Sequence, residues 1–203
     1  MDLFLNGERA VVDTRDCANL AELIARAEAL DADAERSVVV AVEIDGRVLP
    51  PEELGLLESR RLDEVSAVRV ERRPSKEVAR SVLAQGAEYT TRIVEAIATV
   101  ADDYRAGRSE QANRVLADVL DSISVLTGIT FSISGTLADE AQALGALQGE
   151  IHPWLEEMLD AQTEEDLIRI ADVLEYEVSP RLERWGDTMR AFSAASAPPA
   201  GGR

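Results

Sequence analysis

The chain has one cysteine, one histidine and one lysine in 203 residues. Each scarcity removes a class of chemistry. A lone Cys17 forms no disulfide within the chain and suits a reducing compartment. His152 is the only base that a Ser-His-Asp or Cys-His arrangement could use, and it stands directly before Pro153, a position for a cap or surface ring. Zinc would have to join Cys17 and His152 from distant positions. A di-iron bundle needs a Glu-x-x-His pair on each of two helices, but Gly149 stands three residues before His152. Lysine chemistry would rest on Lys76 alone, at an expected helix start. The preference for arginine over lysine is the mark of a GC-rich bacterial genome. No glycine-rich loop follows a strand and opens a helix, so nucleotide binding has no support. No cofactor and no metal is expected.

Positive charge is also scarce. The net charge is −18, with 17 acidic and 10 basic side chains in residues 1–73 and 22 and 11 in the remainder. Neither part offers the basic footprint that nucleic acid or an anionic membrane requires. No apolar run approaches the roughly 18 residues of a membrane span. The opening MDLFLNGERA turns polar after five residues, unlike a signal peptide. These features predict a cytoplasmic protein without membrane insertion.

What is present divides into two patterns. In residues 1–73, MDLFLNG places Leu3 and Leu5 on one face of a strand, and Asn6-Gly7 is a hairpin turn leading to AVVDT. Between Asp16 and Leu30 the period becomes helical, with Leu20, Leu23, Ile24, Ala27 and Leu30 on one stripe. Cys17 is expected in the first turn of that helix, where the dipole would lower a thiol pKa. SVVVAVEIDGRVL then predicts a strand with Val38, Val40, Val42 and Ile44 on one side, a turn at Asp45-Gly46 and a short strand stopped by Pro50-Pro51. The last strand, SAVRVERR, points Val68 and Val70 inward.

This order, with IDGRVLPPEEL before the final strand, resembles the β-grasp family of ubiquitin and the small sulfur carriers. The resemblance covers about a third of the chain. Carriers of that family need a flexible Gly-Gly end directly after the last strand. Here ERRPSKEV follows instead, and Gly201-Gly202 lies far downstream with Arg203 after it. The resemblance therefore implies a docking module and no carrier chemistry.

From Pro74 to Phe192 the period is helical. Val78, Val82, Tyr89, Ile93, Ile97, Val100 and Tyr104 share a face, Gly107 closes the helix, and Ser109 is expected to cap the next. Ala112, Val115, Leu116, Val119, Ile123 and Leu126 follow. In TGITFSISG the apolar residues alternate, which predicts a strand, loop or irregular helix entry. Leu137, Ala141, Leu144, Leu147 and Ile151 resume the helix, and Pro153 begins a new one or kinks it. Thr163 is the expected cap of a helix with Glu164, Glu165 and Asp166 in its first turn. Leu167, Ile170, Leu174 and Val178 face inward; Ser179-Pro180 interrupts; Leu182, Trp185, Met189 and Phe192 continue. The predicted fold is α+β: a small ubiquitin-like β-grasp domain (1–73), an antiparallel four- or five-helix bundle (74–192) and a disordered Ala/Pro/Gly tail (193–203).

Acidic clusters at Asp102-Asp103, Glu164–Asp166 and Glu175/Glu177 read as a solvated helix end, a capping group and two residues on different faces. The helical part resembles the flagellar secretion chaperones at Ala112-Asn113, Leu144, Leu147, Asp166, Ile170, Val173, Leu174 and Trp185. It departs from them at Gln148, where the family has tyrosine, at Pro153 and Pro180, and in its β-grasp part. The resemblance implies a partner helix held against the bundle. The wide apolar arc of the first long helix places Leu83, Val94 and Ile97 as contact residues, and FSI adds Phe131 and Ile133. The expected function is a non-enzymatic adaptor or chaperone-like protein with a protein partner. The alternatives are a structural homo-oligomer without an external client and an enzyme using carboxylates alone.

Overall fold

The computed structural model describes residues 1–13, 15, 17–29 and 36–195. It divides into two compact units, Met1–Val78 and Ala79–Arg203. The first is a five-stranded sheet with one packed helix. The strands are β1 (Asp2–Leu5), β2 (Glu8–Ala10), β3 (Ser37–Ile44), β4 (Arg47–Val48) and β5 (Ala67–Pro74), and the helix is α1 (Leu20–Ala29). Their order across the sheet is β2-β1-β5-β3-β4, with β1 and β5 parallel at the centre and the other pairs antiparallel. This is the β-grasp arrangement.

Two turn residues clamp β5. Asn6 and Asp45 both adopt left-handed backbone (φ 48° and 49°), which the glycines after them help to complete. The Asn6 Oδ1 accepts from Arg72 N at 2.7 Å. The Asp45 Oδ1 accepts from Ser66 N at 3.0 Å and Ala67 N at 2.8 Å. Each hairpin dipeptide thus closes its own turn and also fixes the central strand. Beneath the sheet, Leu20, Leu23, Ile24 and Ala27 of α1 bury against Leu3, Val42, Ile44, Val68 and Val70. Leu30 lies outside the described residues.

Two expectations for this unit need correction. The helix begins at Leu20, capped by the Asn19 side chain, which accepts from Glu22 N at 2.9 Å. Cys17 therefore precedes the helix, and it is buried. In β3, Val42 and Ile44 face the core, but Val38 and Val40 are exposed. A bulge between Val39 and Ala41 inserts one residue into the pairing with β5, and this switches the inward parity.

The second unit is a bundle of α2 (Ser75–Arg105), α3 (Ser109–Ile133), α4 (Ala138–Thr163) and a last rod. That rod comprises α5 (Leu167–Asp172), a π-helical turn (Val173–Val178) and α6 (Ser179–Ala194). Gly107 takes φ +74° at the α2–α3 turn. Ser109 is the first residue of α3 and makes no side-chain cap. Thr163 ends α4, and Asp166 is the true cap of α5, accepting from Arg169 N at 3.0 Å. Pro153 sits inside an unbroken α4. α6 runs two residues past the expected boundary, and Gly201-Gly202 lies outside the described residues. Asp103, expected to be solvated, is buried against Arg108 at 2.7 Å.

Pro180 does not break the rod, because the turn before it is widened. Ser179 N donates to Leu174 O, five residues back, and the wider turn makes room for the proline ring. Arg181 Nη1 donates to Glu177 O at 2.7 Å and to its carboxylate at 2.8 Å. The same guanidinium lies 4.8 Å from the Trp154 ring centroid. Arg105 holds the turn from α2, pairing with Asp172 at 2.8 Å and with Glu175. These two carboxylates raise its pKa above the usual guanidinium value.

Two measurements test this description. Asp45→Ala leaves two backbone donors without their acceptor and strains a left-handed position, so urea unfolding should show a loss of about 1–3 kcal/mol. Tyr104 is buried, its hydroxyl donates to Asn113 Oδ1 at 2.6 Å, and burial raises its pKa. The unfolded chain therefore loses this proton first, above about pH 10. Stability should fall as pH climbs from there toward the raised native value. Comparison of urea midpoints at pH 8 and pH 11 should show a smaller fall for Tyr104→Phe than for the unaltered protein.

Candidate functional site

Charge is distributed along most of the helical unit, but two long stretches of α3 and α4 lack it. Residues 122–138 contain no charged side chain, and neither do residues 141–149. These runs form the end of α3 and the beginning of α4, joined by a short turn in which Leu137 N donates to Ile133 O at 2.8 Å. The two runs are thus uncharged stretches on a molecule of net charge −18, with Asp139 and Glu140 between them in the first turn of α4.

The residues that look like a strand here are helical. Thr127 and Thr130 donate their hydroxyls to the carbonyls of Ile123 and Leu126 at 3.2 and 3.3 Å, which settles their polar groups within α3. With this stretch included, α3 is by length and composition apolar enough to cross a membrane. An 18-residue window has mean hydropathy 1.5, and one third of that window is buried. The expectation that no run reaches that length is corrected by these values. Leu116, Val119, Ile123 and Leu126 pack into the bundle core. The apolar surplus lies outside it, with Val125 53% and Phe131 80% exposed.

A groove of about 470 Å³ follows the α3–α4 seam, lined by Ile123, Ser124 and Thr127 on one side and Gly145, Gln148, Gly149 and His152 on the other. Gly145 and Gly149 leave it open, since a Cβ at either position would meet nothing within 4 Å. Trp185 of α6 also lines it. Its indole is fully buried, and Nε1–H has no hydrogen-bond partner among the described residues. A second hollow of about 430 Å³ shares Thr127 and Gln148 with the first and extends the groove to Phe131 and Ala138. His152 stands exposed at the rim, its Nε2 3.5 Å from Glu156. Among the described residues, no group of three or more His, Cys, Asp or Glu side chains could hold a metal ion.

Of the contact residues expected from sequence, the structure places two near a groove. Phe131 lines the uncharged one. Val94 is half-buried and lines a separate hollow of about 250 Å³ between α2 and α6. The other three are corrected: Leu83 and Ile97 are fully buried, and Ile133 is 2% exposed. Helical spacing shows that residues share a face, but a neighbouring helix decides whether that face is covered. The groove glycines, Thr127 and Gln148 were missed. The run without charge was the signal that could have found them.

The family comparison falls on this unit. A model described as a domain of unknown function (DUF8042) matches residues 81–188, just over half the chain. The chain belongs to the DUF8042 family. No curated protein and no solved structure matches it. The DUF8042 segment takes in all the groove-lining residues and the π-helical turn, whereas the sheet unit lies outside it.

The contrast between core and groove is testable. Leu83→Glu would bury an unpaired carboxylate and should cost more than about 3 kcal/mol, seen as loss of cooperative unfolding. Gly149→Ala meets no neighbour and should raise stability by about 0.5–1 kcal/mol through helix propensity alone.

Proposed function

We propose that this DUF8042 protein is a cytoplasmic, non-enzymatic protein-interaction module whose α3–α4 groove receives an apolar helical segment of a polypeptide. The observation that carries this reading is the uncharged, glycine-floored groove with exposed Phe131 at its edge on an otherwise acidic chain. An apolar helix gains by burying knobs in such a groove, and neither side has to strip water from a charge. The carboxylates nearest to forming a cluster already have structural work. Glu175 pairs with Arg105, Glu177 with Arg181, and Arg169 with both Glu157 and Glu164.

The likeness of α3–α6 to the flagellar secretion chaperones, carried by Leu144, Leu147, Ile170, Val173, Leu174 and Trp185, points toward the same helix-in-groove mode. The β-grasp unit supplies a second docking surface. Val38, Val40, Val48 and Leu54 are exposed, and a hollow of about 410 Å³ at the β3–β4 edge is lined by Val40, Val48 and Leu54.

A neutral amphipathic peptide with leucine and phenylalanine at i, i+3, i+4 and i+7 tests the reading. Hydrogen exchange of the dilute protein should slow in residues 122–151 when the peptide is added. Gly149→Glu, whose Cβ meets no neighbour and whose carboxylate puts charge at the groove, should weaken peptide binding at least tenfold while leaving the melting temperature unchanged or higher. Equal protection in both proteins would refute the groove as the docking site.

A further inference from the structure

We infer that the segment held in the α3–α4 groove presents a side-chain carboxamide, that of glutamine or asparagine. Its carbonyl oxygen accepts from Trp185 Nε1–H, and its amino group donates to the hydroxyl oxygens of Ser124 and Thr127. This rests on the groove being a docking site for a helix and names the polar group which that helix carries on its apolar face.

The donor comes first. Trp185 lines the groove from α6 with its indole fully buried, and Nε1–H finds no acceptor among the described residues. A buried N–H left unpaired costs as much as a lost hydrogen bond, and native interiors leave few of them. Most of the core cluster to which Trp185 belongs is aliphatic and has no acceptor to offer, so the groove is where one can enter. Water does not reach Nε1 in the free protein. An acceptor therefore arrives with a displacement of the half-buried side chains that line the same groove, Gln148 and Leu155.

The complementary requirement comes from α3. Ser124 donates its hydroxyl to Leu120 O at 3.1 Å, and Thr127 donates to Ile123 O at 3.2 Å. Each hydroxyl has one hydrogen and has spent it, so these oxygens offer a ligand only lone pairs. The groove thus has a donor on α6 and acceptors on α3. A carboxylate would satisfy Trp185 but set its charge against those lone pairs, on a chain of net charge −18. An ammonium would satisfy the hydroxyls and leave the indole unpaired. A carboxamide brings an acceptor and two donors without charge, and so matches both helices. Among the described residues, no Asp, Glu, Lys or Arg lines the groove to favour an ionic group.

Peptides that differ at one contact position test the inference by calorimetric titration of the full chain. The amphipathic peptide with leucine and phenylalanine at i, i+3, i+4 and i+7 is compared with versions carrying glutamine at each of those positions in turn. One glutamine peptide should bind about fivefold more tightly than the parent, or better. Its glutamate counterpart should bind more weakly than the parent, and the gain should vanish in Trp185→Phe. In the unaltered protein that glutamine peptide should move the Trp185 indole N–H proton resonance downfield, whereas the parent should not. Trp154→Phe assigns the two indole signals. The resonance reads the hydrogen bond directly, so it decides the matter even if Trp185→Phe does not fold. Binding of the parent with no gain from glutamine at any position would overturn the carboxamide and leave the groove reading standing. A gain that survives in folded Trp185→Phe, or that comes without the indole shift, would also overturn it. If neither the parent nor any variant peptide binds, both readings fall.

Discussion

The last helix carries Ile170, Leu174, Val178 and Leu182 at three successive steps of four residues. In a regular α-helix those steps rotate the stripe by about 120°, enough to move it off the core. All four residues are nonetheless buried, because the π-helical turn at Val173–Val178 takes up the excess. The placement of Trp185 and Met189 in the core follows from this adjustment, and so does the reach of Arg105 to Asp172 and Glu175. Gly186 completes the packing. A Cβ there would stand 3.1 Å from Thr90, so the absence of a side chain lets α6 press closely on α2. The groove on α3–α4 depends on the same register, since Trp185 closes one side of it.

Electrostatics divide the helical unit into two kinds of surface. Around the π-helical turn, arginines are each shared between carboxylates and aromatic rings: Arg105 beside Asp172, Glu175 and Tyr176, and Arg181 beside Glu177 and Trp154. These exposed or half-exposed pairs add little stability individually, but together they tie α2, α4 and the last rod at one place. Residues 122–138 and 141–149 of α3 and α4 have no charged groups to pair. They have hydroxyls bonded back to their own helix, glycines, and one protruding ring. A surface of this kind is stabilised by being covered.

Much of the architecture was legible because it depends on local rules. Asn6-Gly7 and Asp45-Gly46 mark hairpins through their left-handed backbone, and Val68 and Val70 alternate as a half-buried strand must. Ile93, Ile97, Val100 and Tyr104 show one helical face by spacing alone. The errors occurred where a second element intervened. Threonine and serine in TGITFSIS look like strand residues until their hydroxyls bond to carbonyls three or four residues back. Val38 and Val40 look inward until a bulge reverses them. Leu83 and Ile97 look available to a partner until the bundle closes over them.

Periodicity, turn chemistry and charge count act within a few residues of one another, and they are enough to determine an acidic α+β chain with a β-grasp followed by helices. Which apolar faces are covered is a property of neighbours far apart in the chain. Only tertiary packing could bury Leu83, widen the turn before Pro180, and leave Phe131 beside an empty recess between two helices. The uncharged run was written in the sequence, but its meaning as a surface required the folded bundle, because the same composition also serves a buried core.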